Sequence, residues 1–301
     1  MHWEELIERA IALQSLPEDE RASPDLGLHV LRHDAPTQFE ATVYHPIVCL
    51  ILQGAKETTL GERRFDVAAG HCVVVSHDVP VLARIRQASP EVPYLALVIE
   101  LDLEVLRTLH DRVPDPVAGD EAGATLGAAP GCCMEVAPVD DATRDVIGRY
   151  LALASDPVAA RVLLPLVQQE LHFRLLMSAS GAMLRSLLSD ASHASHISQA
   201  IHLLRDHFRE PLTVADLARR VGMSASAFHK HFKLVTTTTP LQYQKDLRLT
   251  EARHLLRSAG RSVSAAAFEV GYESASQFSR EYARKFGSPP SRDPLILSPA
   301  A

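Results

Sequence analysis

Between Leu212 and Phe286 one pattern of residues occurs twice, at an offset of about fifty positions, and a repeat of that size admits few architectures. In the first copy Thr213 and Asp216 supply an N-cap and a first-turn acid, and Val214, Leu217 and Val221 follow at helical spacing. Gly222 ends this short helix where the chain must turn sharply. Ser224 opens a second helix running to Leu234. Its Phe228, Phe232 and Leu234 are predicted to share a buried face, and Ser226, His229, Lys230 and Lys233 the outer one. The second copy has Ser262, Val263 and Ala265 to Val270, a turn at Gly271, and a helix from Ser274. Here Phe278, Tyr282 and Phe286 are the buried face and Ser276, Gln277, Ser279 and Arg280 the outer one. Gly222 aligns with Gly271, Phe228 with Phe278, and Phe232 with Tyr282. Between the copies Thr239 and Pro240 read as N-cap and N1, Leu241, Leu247, Ala252, Leu255 and Leu256 form an apolar stripe, and Gly260 stops the helix. Two helix-turn-helix units are thus expected on one rod.

The second copy, "AAAFEVGYESASQFSREYARKFGSPPSR", holds Gly271, Tyr272, Ser274, Phe278, Arg280, Phe286, Gly287 and Pro289 in the order of the AraC/XylS transcription regulators. The stretch Leu212 to Arg292, roughly the last third of the chain, resembles the DNA-binding domain of that family. The resemblance implies that Ser226, His229 and Lys230, with Ser276, Ser279 and Arg280, occupy base-reading or adjacent positions, Gln277 lying among them. Arg280 suits a guanine, because its guanidinium can bond O6 and N7 together; the alternative is a phosphate clamp. Lys233, Arg284 and Lys285 are expected on phosphate, which fixes register without reading sequence. Two recognition helices on a rigid linker should enter successive major-groove segments about one turn apart. His229 and His231, two apart on a helix, point to different faces and make no metal pair.

Charge leads to the same partner by a separate route. From His193 to Pro294 fifteen Lys and Arg stand against nine Asp and Glu, a net +6, whereas the whole chain carries −7 and the remainder therefore −13. A basic end on an acidic companion fits phosphate binding at that end; the overall balance alone would argue against nucleic acid.

The other two thirds read differently. A length of 301 residues with 47% apolar residues suggests about two domains with full cores. The N-terminus, "MHWEELIERAIALQSLPEDERAS", is an acidic amphipathic helix rather than a signal peptide, and no run reaches the length of a membrane span, so a cytoplasmic protein is expected. From Leu26 to Leu101 short strand-like runs (47–53, 56–60, 71–77, 81–85, 94–101) are divided by Gly54, Gly61, Gly70 and Asp78 to Pro80. These predict a small antiparallel barrel or jelly roll. Within the family resemblance this segment looks like a cupin-like effector domain. The histidines fail the His-x-His spacing of a cupin metal site: His71 and His77 are six apart and His45 lies earlier. No metal or other cofactor is expected. Gln53, His77 and Arg84 are the candidate effector contacts, the alternative for each being an outward-facing surface side chain. Arg84 and Arg86 share a strand face, as an anion site or a solvated edge. Cys49 and Cys72 lie in apolar runs and read as core. Cys132 and Cys133, in a Gly/Ala-rich loop with no activating charge evident, offer redox sensing as an alternative control.

Beyond Leu101 helices are expected at Leu103 to Asp111, Asp140 to Ala154 and Pro157 to Met177, with a loop from Val113 to Gly131. Val162, Leu163, Leu166, Val167, Leu171, Leu175 and Leu176 form a broad stripe for packing on the barrel or on a second subunit, and regulators of this resemblance often dimerise through such helices. The domains are placed at 1–180, with a linker at 181–195 and the DNA-binding unit at 196–293. The fold class is α+β: a cupin-like antiparallel β-barrel with flanking helices, then an all-α domain of two helix-turn-helix motifs joined by a linker helix. The expected partners are double-stranded DNA, a small-molecule effector, a second copy of the chain and RNA polymerase. The competing reading, a cupin-type metal-dependent enzyme with a helical tail, lacks a nucleophile–base arrangement, a phosphate loop or a workable metal set.

Overall fold

A computed structural model describes residues 2–15, 26–113, 131–189, 192–258 and 260–297. Helix α1 (Trp3–Ser15) precedes eight strands: β1 (Leu28–His33), β2 (Glu40–Tyr44), β3 (Ile47–Gln53), β4 (Ala55–Leu60), β5 (Arg63–Ala68), β6 (His71–Val75), β7 (Val79–Gln87) and β8 (Tyr94–Glu100). Helix α2 (Leu103–His110), strand β9 (Met134–Pro138) and helices α3 (Asp141–Ala154), α4 (Pro157–Met177) and α5 (Gly181–Leu188) complete the N-terminal region. Every strand pairing is antiparallel, in a five-stranded sheet ordered β1-β8-β3-β6-β9 and a four-stranded sheet ordered β2-β7-β4-β5.

Strand β3 shows why its sequence does not alternate. Cys49 and Ile51 face the interior between the sheets with Phe65, Val67, Val81 and Ile85, while Val48, Leu50 and Leu52 face outward into a second core with Leu6 of α1, Val146 of α3 and Leu171 of α4. Both faces are covered, so the strand is an apolar run. Strands β1, β2 and β5 escape sequence reading because they are short and largely exposed or half-exposed, and β9 because it is a short, mostly buried run far from the other strands in sequence; β5 alternates charged residues outward with Phe65 and Val67 inward.

The C-terminal region is helical: α6 (His193–Asp206), α7 (Val214–Arg220), α8 (Ala225–Thr236), α9 (Pro240–Ser258), α10 (Val263–Glu269), α11 (Ala275–Phe286), a 3-10 turn at Pro290–Arg292 and α12 (Pro294–Leu297). Its two units are not equivalent in packing. Ile201 and Leu204 of α6, Phe228, Phe232 and Val235 of α8 and Tyr243 of α9 join the apolar cluster to which the inner faces of the sheets contribute. Phe278, Tyr282 and Val270 form a separate core with Leu249, Ala252 and Leu256 of α9.

Several expectations change. The segment 181–195 is no free linker: α5 occupies most of it, and Met183, Leu184 and Leu188 pack into the outer core. Leu234 is 46% exposed and Leu241 51% exposed, their expected burial passing to Val235 and Tyr243. On α4 the inner Val167, Leu171, Leu175 and Leu176 are buried, whereas Val162, Leu163 and Leu166 face out. Cys49 and Cys72 are core, as read. Cys132 and Cys133 lie in irregular chain just ahead of β9, as read, but are buried there; the Cys133 N–H donates to the Val235 carbonyl of α8 at 3.0 Å. The Cys132 pKa is lowered, first by a hydrogen bond with the Cys133 thiol, then by the Met134 backbone and by the charge of Arg63, so a charge does act on the pair. Residues 114–130 of the expected loop lie outside the described residues.

Candidate nucleic-acid interface and sheet interior

The two helix-turn-helix units are built from the same devices. Thr213 and Ser262 cap their first helices by accepting from Asp216 N and Ala265 N at 3.1 and 3.2 Å. Gly222 and Gly271 make the turns with φ of 69° and 88°, a region that a side chain would strain. At Gly271 the limit is also steric: a Cβ would lie 2.1 Å from the Arg209 carbonyl oxygen. Ser224 and Ser274 then cap α8 and α11 through Ala227 N and Gln277 N. Phe228 stacks on Phe232, and Phe278 on Tyr282, each at 5.5 Å between ring centroids, fixing the buried face of each second helix.

With those faces fixed, Ser226, His229, Lys230 and Lys233 of α8 and Ser276, Gln277, Arg280 and Arg284 of α11 are exposed. Ser279 is half-buried and donates to the Ala275 carbonyl; Gln277 donates to Glu281. Among the described residues Lys230, Lys233, Arg280 and Arg284 carry no ion pair. Other cations of this domain do: Lys245 with Glu281 at 2.8 Å, Lys285 with Asp246 at 2.7 Å, and Arg253 with Asp293 at 2.9 Å. Lys285, expected on phosphate, is thereby largely buried and engaged. Lys233 lines a groove of about 480 Å³ between the sheets and the helical domain, with Thr59, Gly61, Thr239 and Gln242. His231 is half-buried and stacks on His193 at 3.7 Å.

Helix α9 gathers both units. Arg248 donates to the carbonyls of Phe208, Arg209, Glu210 and Gly271, so one guanidinium ties the loop after α6 to the turn of the second unit. Tyr243 donates to the Asp78 carbonyl at 2.5 Å, and Thr237, which has a left-handed φ of 61°, donates to the Leu60 carbonyl at 2.6 Å. The Asp78 carboxylate, 2% exposed, receives Arg205 of α6 at 2.8 Å and His45 at 2.6 Å.

The three candidate effector residues are not brought together. Gln53 donates to the Pro93 carbonyl at 2.8 Å. His77 is buried at the junction, its Nε2 donating to the Ala194 carbonyl at 3.2 Å and its Nδ1 2.7 Å from the Ser76 hydroxyl; burial lowers its pKa to about 4. Arg84 lies on the outer face of β7 and grips the buried Glu57 at 2.7 Å, with Arg64 at 3.0 Å, while Arg86 pairs with Asp66 at 2.9 Å. The arginine pair is no open anion site, because carboxylates already engage it, and with side chains 37% and 48% exposed it lies at a solvated edge.

The polar group that does point between the sheets was not among the sequence candidates. Lys56 is 5% exposed, and its Nζ donates to the Tyr44 hydroxyl at 3.2 Å and to Cys49 Sγ at 3.3 Å. No carboxylate pairs with it among the described residues. Among the described residues the buried Tyr94 hydroxyl has no hydrogen-bond partner. The available signal was alternation in "KETTL": Lys56, Thr58 and Leu60 share one face and Glu57 the other.

Comparison with known proteins agrees with both halves of this architecture. A family described as the AraC-type transcriptional regulator N-terminus matches residues 26–183, and a helix-turn-helix domain matches residues 217–293. The HTH-type transcriptional activator RhaS of Escherichia fergusonii is 31% identical over 153 residues, 50% of this chain and 54% of that protein. The HTH-type transcriptional regulator CdhR of Pseudomonas aeruginosa is 36% identical over 106 residues, 34% of this chain and 32% of that one. The chain thus spans about half the length of RhaS and about a third of CdhR. Among solved structures, unsaturated fatty acid-bound ToxT from Vibrio cholerae has a TM-score of 0.56 at 11% identity, covering 91% of this chain and 96% of that one, a likeness of fold. The N-terminal match alone spans more than half of the 301 residues, and the chain belongs to the AraC-type transcriptional regulators.

Proposed function

We propose that this protein is a sequence-specific DNA-binding transcription regulator whose α8 and α11 enter successive major-groove segments and whose sheet domain takes a small-molecule effector. The observation that carries the DNA reading is the repeated placement of unpaired cations, Lys230 and Lys233 on α8 and Arg280 and Arg284 on α11, on the exposed faces of two capped recognition helices. Arg280 is the base reader and Lys230, Lys233 and Arg284 meet phosphate, with Ser226, His229, Ser276, Gln277 and Ser279 beside them. A gel-shift on the DNA upstream of its own gene, run across salt, tests this: binding must weaken steeply as salt rises. A salt-independent interaction, or none, sinks it.

For the effector, Lys56 replaces the sequence candidates. A buried ammonium with a thiol, two phenols and, among the described residues, no carboxylate favours an anionic head group, because an unpaired buried charge is costly. The outer face of α4 supports a homodimer: Val158, Val162, Leu166, Phe173 and Met177 recur near helical spacing and are 79%, 70%, 61%, 39% and 43% exposed. Such a stripe is more apolar surface than a helix keeps in water without a partner. No described helix is long and apolar enough to cross a membrane.

A further inference from the structure

We propose that Arg253 is a positioning residue that couples the sheet domain to the second recognition helix. Its side chain is 10% exposed and makes a two-point pair with Asp293, Nε to Oδ2 at 2.9 Å and Nη2 to Oδ1 at 3.0 Å. Asp293 is fully buried and also accepts from the Tyr282 hydroxyl of α11 at 2.7 Å and from Leu295 N at 3.0 Å. Tyr282 lies on the face of α11 opposite Arg280 and Arg284, so the height and rotation of the DNA-facing side chains are set by what holds Tyr282. The Arg253 guanidinium further lies 4.4 Å from the Phe286 ring centroid, gripping the last turn of the same helix.

The remaining nitrogen of Arg253 reaches the sheet domain. Nη1 donates to the Phe39 carbonyl at 3.3 Å, just ahead of β2. Phe39 is held in turn from β7, because the Arg84 guanidinium stacks on its ring at 4.5 Å. Arg84 is fixed by Glu57, the neighbour of Lys56 on β4. The strand alternates, so Lys56 points inward and Glu57 outward, and a shift of β4 caused by a ligand at Lys56 moves Glu57 as well. The route therefore runs from β4 through Arg84 and Phe39 to Arg253, Asp293 and Tyr282. Helix α8 is attached differently, by apolar packing, by the bond from Cys133 N to Val235 O and, at its C-cap, by the Thr237 hydroxyl donating to the Leu60 carbonyl at the far end of β4, with no link through Arg84 and Phe39 among the described residues. Buried ion pairs with saturated hydrogen bonds have few alternative geometries, which suits a part that must hold one helix in one of two placements.

This coupling rests on the reading of the sheet interior as the effector site and of α11 as a reader of DNA. Hydrogen exchange of the full chain without DNA or ligand tests the coupling separately. Asp293→Asn, near in shape but uncharged, should raise exchange across α11 at least about tenfold. Arg84→Ala, at a side chain that is 37% exposed, should raise α11 exchange at least about threefold and leave α8 at the wild-type rate. Arg84→Lys, which keeps a cation near the Phe39 ring, should return α11 to wild type. An α11 unchanged in Arg84→Ala, or loosened equally with α8, overturns the coupling; so does an unchanged α11 in Asp293→Asn. If Asp293→Asn fails to fold, the Arg84 pair still decides. A protein with the expected exchange pattern that fails to shift DNA refutes the DNA-binding reading and leaves the coupling standing.

Discussion

His77 gives a stability change whose size follows from its environment. The ring is 3% exposed, bridges the end of β6 to Ala194 at the start of the helical domain, and is held neutral because burial lowers its pKa from 6.5 to about 4. The unfolded chain protonates this ring as pH falls through 6.5, while the folded chain resists until about 4. Stability is therefore fully present above about 6.5 and drains between 6.5 and 4. Integrating the two titrations gives about 0.2 kcal/mol lost at pH 7 and about 2.6 kcal/mol at pH 4.5, a difference of about 2.4 kcal/mol. His77→Gln keeps an N–H for the Ala194 carbonyl but cannot titrate. Urea unfolding of the full chain, followed by circular dichroism at pH 7 and pH 4.5, compares the two proteins. The wild type should lose about 2 kcal/mol more than His77→Gln over that interval, since the acids common to both cancel. If the stability curves stay parallel, burial does not hold His77 neutral and the junction is wetter than its geometry implies.

Arg280→Ala should cost about 1–3 kcal/mol on the specific site and relax discrimination at one base, whereas Lys233→Ala should weaken all sequences alike and flatten the salt slope, both read by gel-shift against specific and random DNA. Leu166→Glu, at the centre of the exposed α4 stripe, should convert a sedimenting dimer to monomer without lowering the melting temperature; a dimer that persists removes α4 as the interface. In a thermal-shift screen, a small carboxylate at a hundred times its dissociation constant should stabilise the wild type by about 2.7 kcal/mol, and Lys56→Met should abolish the shift. Stabilisation by neutral sugars alone, undiminished in Lys56→Met, would exclude an anion at Lys56.

The helix-turn-helix half was legible because its instructions are local. Caps at Thr213, Ser224, Ser262 and Ser274 act within three residues, Gly222 and Gly271 relieve the backbone where they stand, and the aromatic residues repeat at helical spacing. Where reading failed, distance in sequence was the reason. Leu234 satisfies the periodicity of α8, yet the sheets and α9 draw Val235 inward instead. Lys285 sits on the expected phosphate edge, but Asp246, thirty-nine residues earlier, has taken it.

The N-terminal half was legible as strands and turns but not as a site. Gln53, His77 and Arg84 are polar residues in or beside apolar runs, and each is satisfied by a separate partner: Pro93, Ala194 and Glu57. Sequence alone could not assign them, because a strand's alternation gives two faces without saying which one the opposing sheet covers. Lys56 became interesting only when its face proved to be the inner one.

The sequence by itself determined the two helix-turn-helix heads, their caps and turns, the rod between them and the charge contrast between the halves, since each depends on neighbours within a turn of helix or on composition. The tertiary structure alone decided that the first head shares its core with the sheet domain while the second is held by Arg253, Asp293 and Tyr282. It also decided that Lys56 lies inside and, among the described residues, without a counter-charge. Those relations join residues separated by tens to hundreds of positions, and only folding brings them within hydrogen-bond reach.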